Sequence, residues 1–569
     1  MSATNLQNFS GDVQIRGTTF IKANTATDNL AIGTDAGATG QGARSVAIGL
    51  EAGKTNQGAD ATAIGHDAGL NAQSYGGVAV GLQAGSTEQA SSGTALGRQA
   101  GQTSQGASAT AVGYLAAQLG QGAASVAVGH RAGLNAQGAN SVAMGDQAGE
   151  TSQAASATAV GYQAGEHNQG TQAVAAGYLA AQSGQGAASV AVGTSAGKVS
   201  QGAFSVAIGS SAGLTSQGVG AAGAVAIGRF AGSQNQEDGA VAIGIDTAKV
   251  SQGTQATAVG TLAGSSAQGA RAVAVGKQAG EQAQGVDAVA IGREAGKMSQ
   301  GVDAIAIGRE AGSSAQSVNG IGIGQEAGKT AQGVRSIAIG QGCGKTSQSL
   351  ESLAIGENCG ANEQGQKSLA VGYFAGSKSQ GANSIAIGDQ CAQNGQATVA
   401  IAIGQLAGHS SQGTFTVGIG SRAATTSQGS GAIAIGRVCG SQNQGTNAVA
   451  IGHQAGQISQ RANSIAIGIA AGLTAQLGQS VAIGHSAAQN NQMAAAVAIG
   501  ELAGQNSQGT RSIAIGRYAG VTKQGNAGYS IAIGENSGNN SQKGYATAVG
   551  HEAGLNAQGS YCTAIGAYA

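Results

Sequence analysis

A glycine recurs every sixteen residues from Gly33 to Gly566, and this period is broken at two places only. With Ser45 to Asp60, SVAIGLEAGKTNQGAD, numbered 1 to 16, the glycine is position 5 and occurs 34 times. Every interval between successive glycines holds a glutamine at position 13, 33 out of 33. Position 3 is Ala in 32 units and Gly in the other two, Gly322 and Gly418. So short and strict a period predicts a quasi-one-dimensional array in which each unit packs on its neighbours.

The absences agree with that array. The chain has no proline and no tryptophan, and 103 of its 569 residues are glycine. Proline cannot donate to a β ladder, so a coil whose every position lies near a ladder excludes it. A collagen helix needs proline and a three-residue period, and neither is present. Disorder is excluded by the fixed phase of Val, Ile and Ala.

Within a unit, positions 2 and 4 are Val, Ile or Leu with few exceptions, as in Val46 and Ile48 or Ile305 and Ile307. Alternation about a small residue predicts a β-strand. Its large side chains are expected to fill the coil's own core. The small residue is then expected to face outward against a close neighbour, most economically the same strand of another copy. Ala47, Ala63, Ala207, Ala306 and Ala514 are therefore the expected interchain contacts. The position-5 glycines, among them Gly49, Gly65, Gly209, Gly308 and Gly516, are expected to end the strand in a conformation or at a close approach that a side chain forbids.

The glutamine column is the most demanding feature. A surface residue would drift over so many copies, and position 13 does not. Its amide carries both donor and acceptor, so Gln57, Gln73, Gln105, Gln137, Gln300 and Gln508 are expected to be buried. They can bond to one another along the axis or satisfy a backbone group at the turn. Positions 6, 7 and 10 collect charge (Arg293, Glu294, Arg309, Glu310, Lys297), and tyrosines gather at position 6 (Tyr114, Tyr162, Tyr178, Tyr373). These read as the solvent-facing edge.

Residues 1–28 do not fit the repeat and read as a strand-rich cap or docking segment. Asp12 to Arg16 alternates, Gly17-Thr18-Thr19 reads as a turn, and Phe20-Ile21 as a second short strand. Val13, Ile15, Phe20 and Ile21 are the expected end-to-end docking residues. Residues 29–569 hold the 34 units, with insertions near 218–225 and 525–530 that are expected to project outward. Four of five cysteines, Cys343, Cys359, Cys391 and Cys439, occupy position 8. Cys343 and Cys359 are one unit apart and could stack. The odd count and the lack of a visible secretory signal favour free thiols.

The charge balance, 26 basic against 26 acidic residues, offers no field for nucleic acid. No apolar run approaches the length of a membrane-spanning helix, so membrane insertion is not expected. No nucleophile, base and orienter converge, and no metal-ligand spacing occurs. The expectation is a non-enzyme without cofactor or metal.

The tandem motif SVAIG-x-x-A-G, as in Ser45 to Gly53 and Ser205 to Gly213, resembles the head repeats of YadA-type trimeric autotransporter adhesins. Similar repeats occur in fibre proteins of phages and large viruses. The resemblance covers residues 29–569. It implies an all-β fold, a left-handed parallel β-roll or solenoid with one coil per repeat, and an intertwined or side-by-side homotrimer. It also implies a fibrous role in a virion or an extracellular filament. The functional expectation is a structural fibre protein whose main partner is itself, with head-to-tail polymerisation from the open ends. An adhesin reading a host-surface ligand is the alternative, and an ice- or mineral-binding solenoid a more distant one.

Overall fold

The computed structural model describes residues 13–15, 18–24, 27–220, 222–525 and 528–569. Each sixteen-residue repeat makes one coil. A first short strand covers positions 2 to 4, as in Val46–Ile48; positions 11 to 13 form a second from Thr103–Gln105 to Gln442–Gln444, and outside that range position 11 makes a single parallel bridge to the next coil, as in Thr55 to Asn71. Strands of successive coils pair in parallel and in register: Val46 lies opposite Thr62, Ala47 opposite Ala63 and Ile48 opposite Ile64. The second strands stack likewise, with Gln105 opposite Gln121. Each coil is thus a small two-sheet sandwich, and the chain is an all-β parallel solenoid.

Two compact units divide the chain, Met1–Asp287 and Ala288–Ala569. In the first, a two-strand hairpin precedes the coils. Strand β1 (Val13–Ile15) pairs antiparallel with β2 (Thr18–Asn24), and β2 pairs antiparallel with β3 (Asn29–Ile32), the first strand of the repeat. Thr18 and Thr19 therefore belong to a strand, not to a turn; their pairing with Ile15 and Gln14 of β1 recruits them and lengthens the element to seven residues. The turn expected at Gly17 lies outside the described residues. In the second unit the first-sheet strands run from Val289–Ile291 to Thr563–Ile565.

The corners explain the glycines and several other choices. In the coil of Ser45, five residues have positive φ: Gly49 (131°), Glu51 (57°), Gly53 (53°), Asn56 (53°) and Asp60 (59°). At Gly49, Glu51, Asn56 and Asp60 the N–H turns back to the preceding coil, as in Gly49 N to Ile32 O at 2.7 Å and Glu51 N to Thr34 O at 2.9 Å. At strand and other corner positions it points forward, as in Val46 N to Ala61 O and Gly53 N to Ala68 O, both at 2.9 Å, while Ala52 N closes a turn on Gly49 O. The backbone of a coil inside either unit is thereby bonded on both sides, which a buried polar backbone requires.

The core reverses the expected sense of the first strand. Ala47, Ala63, Ala207, Ala306 and Ala514 are fully buried within their own chain, at 0% exposure. They are not surface contacts. Val46 and Ile48 are only partly covered, and Ile64 is 37% exposed. The reason is thickness. The interior between the two sheets also holds the position-8 alanine and the position-13 glutamine, and it has room for a methyl at position 3. A Cβ placed on Gly69 would lie 2.7 Å from Gln73 Oε1 and 3.3 Å from the Ala63 methyl, which shows how closely these groups fill the space.

The cysteines also depart from expectation. Cys343 and Cys359 form a disulfide, with Cα atoms 4.8 Å apart. One coil step, about 4.8 Å, is itself a Cα separation suited to the bond. Two cysteines at one position in successive coils need no backbone movement to join. Cys391, Cys439 and Cys562 are free. Burial pushes the Cys391 and Cys439 thiols up to about 12.

Candidate interaction surface

Three columns of side chains define what this solenoid can do, one inside and two outside. The inner column is the glutamines. Gln57 Nε2 donates to Val46 O at 2.9 Å within its coil and to Gln73 Oε1 at 3.2 Å in the next. Gln73 repeats this toward Gln89, Gln89 toward Gln105 and Gln105 toward Gln121. In the second unit Gln300 donates to Gln316 at 3.1 Å, and Gln508 accepts from Gln492 at 3.0 Å. Along these runs one amide joins a strand to the opposite sheet and a coil to the next, so both bonding schemes open to these residues are used together. Gln137 bonds Val126 O at 2.8 Å and accepts a long bond from Ser125, while the Oε1 of the next glutamine, Gln153, has no partner. The same holds for Gln236 Oε1, just past the first insertion.

The strand-ending glycines are dictated by their neighbours. Gly49, Gly65, Gly209, Gly308 and Gly516 have φ between 124° and 131°, and a Cβ on any of them would come within 2.5–2.7 Å of the carbonyl oxygen of the same glycine one coil on. Both the dihedral and the space exclude a side chain.

The first outer column is the pair of large residues at positions 2 and 4. They form a ribbon two side chains wide over the outside of the first sheet in each unit. Position 4 is Ile, Val, Leu or Met in every unit but one, where it is Ala176, and position 2 is Val, Ile, Leu or Thr; neither is ever charged. Leu96, Met144 and Ile291 are 45, 44 and 38% exposed although the coils above and below cover their flanks. Singly exposed apolar residues are ordinary, but a contiguous apolar face marks an interaction site. Sequence reasoning saw these residues and put them inside.

The second outer column is charge at positions 6, 7, 10 and 16, and much of it is paired within the chain in runs of neighbouring coils. Arg44 and Asp60 meet at 2.6 Å, Arg271 and Asp287 at 2.7 Å. Arg293 reaches Glu294 and Glu310, both at 3.2 Å, and Lys329 meets Glu310 at 2.6 Å. Lys345 meets Glu326 at 2.7 Å. These bonds to ammonium groups hold the Glu310 and Glu326 carboxyls below their ordinary values.

The docking residues of the N-terminal hairpin are placed by their backbone. Val13 lies opposite Ile21 and Ile15 opposite Thr18, and Phe20 falls in β2. Ile21 pairs with Ile32, so this edge of β2 is used within the chain. The first insertion exposes Val219, 66% accessible, beside a cleft of about 470 Å³ that also takes in Asp238 and Thr254; Asp238 Oδ1 accepts from Gly220 N at 2.7 Å. Among the described residues no three His, Cys, Asp or Glu side chains gather as a metal site, and no helix is long and apolar enough to cross a membrane. No family model matches the chain, and no curated protein matches it.

Proposed function

We propose that the chain is a structural fibre protein that associates with copies of itself along the Val/Ile ribbon, and that it works in a virion fibre or an extracellular filament. The observation that carries this reading is the ribbon: a solenoid that buries alanine and turns its valine and isoleucine outward in coil after coil. Covering the residual apolar surface of one coil is worth roughly 1 kcal/mol at 25 cal/mol per Å², and the term recurs in every coil. Self-association is favoured over a foreign partner because the ribbon follows the same repeat as the backbone, so an identical ribbon matches it residue for residue. The resemblance of SVAIG-x-x-A-G to YadA-type head repeats supports three chains side by side and a left-handed roll. In that arrangement the contact falls to residues such as Val46, Ile48, Ile305 and Ile307. The charged edge offers less to a host-surface ligand, since Arg293, Glu294, Glu310 and Lys329 are engaged with one another in ion pairs.

Sedimentation of the full chain tests the proposal. Trimers are expected, and Ile→Asp changes at Ile305, Ile307, Ile321 and Ile323 together should weaken them, shifting dissociation to a lower denaturant concentration. A wild-type chain that sediments as a folded monomer at micromolar concentration would overturn it.

A further inference from the structure

Aromatic side chains at one repeat position in neighbouring coils are brought face to face by the coil step, and in two places every ring is a tyrosine. Tyr529, Tyr545 and Tyr561 stack in sequence, with centroids 5.1 and 4.9 Å apart and planes within 8°. Tyr162 and Tyr178 stack at 5.2 Å and 11°. All five phenols are exposed, from 42% for Tyr162 to 77% for Tyr561. Arg511 lies over the Tyr529 ring, 5.4 Å from its centroid, and also bonds its hydroxyl. The remaining exposed tyrosines differ in their neighbours: among the described residues Tyr75, 59% exposed, stacks on no other ring. Tyr114 stacks on His130, Tyr373 meets Phe374 edge-on, and Tyr568 meets His551 edge-on.

We propose that the two tyrosine stacks are sites of oxidative cross-linking, in which dityrosine bonds staple successive coils of one chain. The oxidant is a peroxide acting through a haem peroxidase. Each phenol gives up one electron and one proton to become a phenoxyl radical. Two radicals on adjacent rings join through the carbons ortho to their oxygens, and the two displaced ring hydrogens return the oxygens to hydroxyls. The two electrons and two protons reduce one hydrogen peroxide to two waters. The fold contributes proximity: a radical on Tyr545 has a second phenol in van der Waals range on either side before it can diffuse to another reaction. The position-16 stack does at the coil's edge what the Cys343–Cys359 disulfide does in its core, closing a covalent loop across one coil step. This inference is independent of the proposed fibre function.

The test treats the full chain, dilute, with horseradish-type peroxidase and hydrogen peroxide, and reads dityrosine fluorescence, denaturing gels and peptide mass maps. Expected are fluorescence, unchanged gel mobility, and links within the pairs Tyr529–Tyr545, Tyr545–Tyr561 and Tyr162–Tyr178, each costing two hydrogens. Tyr545→Phe should abolish the C-terminal links and leave the Tyr162–Tyr178 link intact, which shows that the variant is oxidised normally; an unchanged circular dichroism spectrum and melting temperature show that it is folded. Equal yields of links through Tyr75 or Tyr373 would overturn the proposal. So would links joining two chains, or hydroxylation of the stacked rings without coupling.

Discussion

Gln57 donates an amide hydrogen to Gln73 one coil away, at 3.2 Å, while donating the other to Val46 O across the interior at 2.9 Å. This pair shows why position 13 does not vary. Asn is too short to cross between the sheets, Glu lacks the donors, and an apolar residue leaves three polar groups unpaired.

Gln316 sits in the middle of such a run, accepting from Gln300 at 3.1 Å and donating to Ile305 O and to Gln332 at 2.7 and 3.0 Å. Gln316→Leu should destabilise the second unit by about 2–3 kcal/mol, the cost of stranding buried partners. Urea unfolding of the variant beside wild type measures it.

The inside-outside assignment of the first strand has a direct test in two neighbours. Ala306 is buried and Ile307 faces outward. Ala306→Val should cost about 1–3 kcal/mol by overpacking. Ile307→Thr should leave the stability of an isolated chain within about 0.5 kcal/mol, as surface changes do. Thermal melts at low concentration distinguish the two; the opposite ranking would mean that the large residues are the core.

Val399 is 43% exposed and held at φ 56°, a conformation that β-branched residues avoid. Val399→Asn should raise stability by about 1 kcal/mol, because Asn tolerates this region at lower cost. The shift is read as a higher melting temperature.

Glu326 is held below its ordinary carboxyl value first by its bond to Lys345, and also by Lys329. A depressed folded-state value means stability that is present above the ordinary carboxylate range and lost as pH falls through the folded value. Glu326→Gln should therefore melt below wild type at neutral pH, and the two curves should converge in acid. The difference should be small, since exposed pairs contribute little.

Thiol chemistry separates the free cysteines. Cys391 and Cys439 are buried with thiols pushed up to about 12, whereas Cys562 is exposed. Ellman titration of the native chain at pH 8 should find one fast thiol, three after unfolding and five after reduction, given one disulfide and three free cysteines.

Much of this molecule is determined by sequence alone. The period requires a stack of like coils, the alternation at Val46-Ala47-Ile48 requires a strand, the glycine column requires a corner that no side chain fits, and an unvarying glutamine requires burial. Alternation does not say which face of a strand is the interior, because a period of two presents two equivalent sides. That choice was made by closing a sixteen-residue coil into two short sheets with a glutamine between them. The gap admits the Ala47 methyl and turns Val46 and Ile48 outward, so the residues that look most like a core form the face of the solenoid. The Cys343–Cys359 bond was settled in the same way, by the distance from one coil to the next rather than by the number of cysteines in the chain.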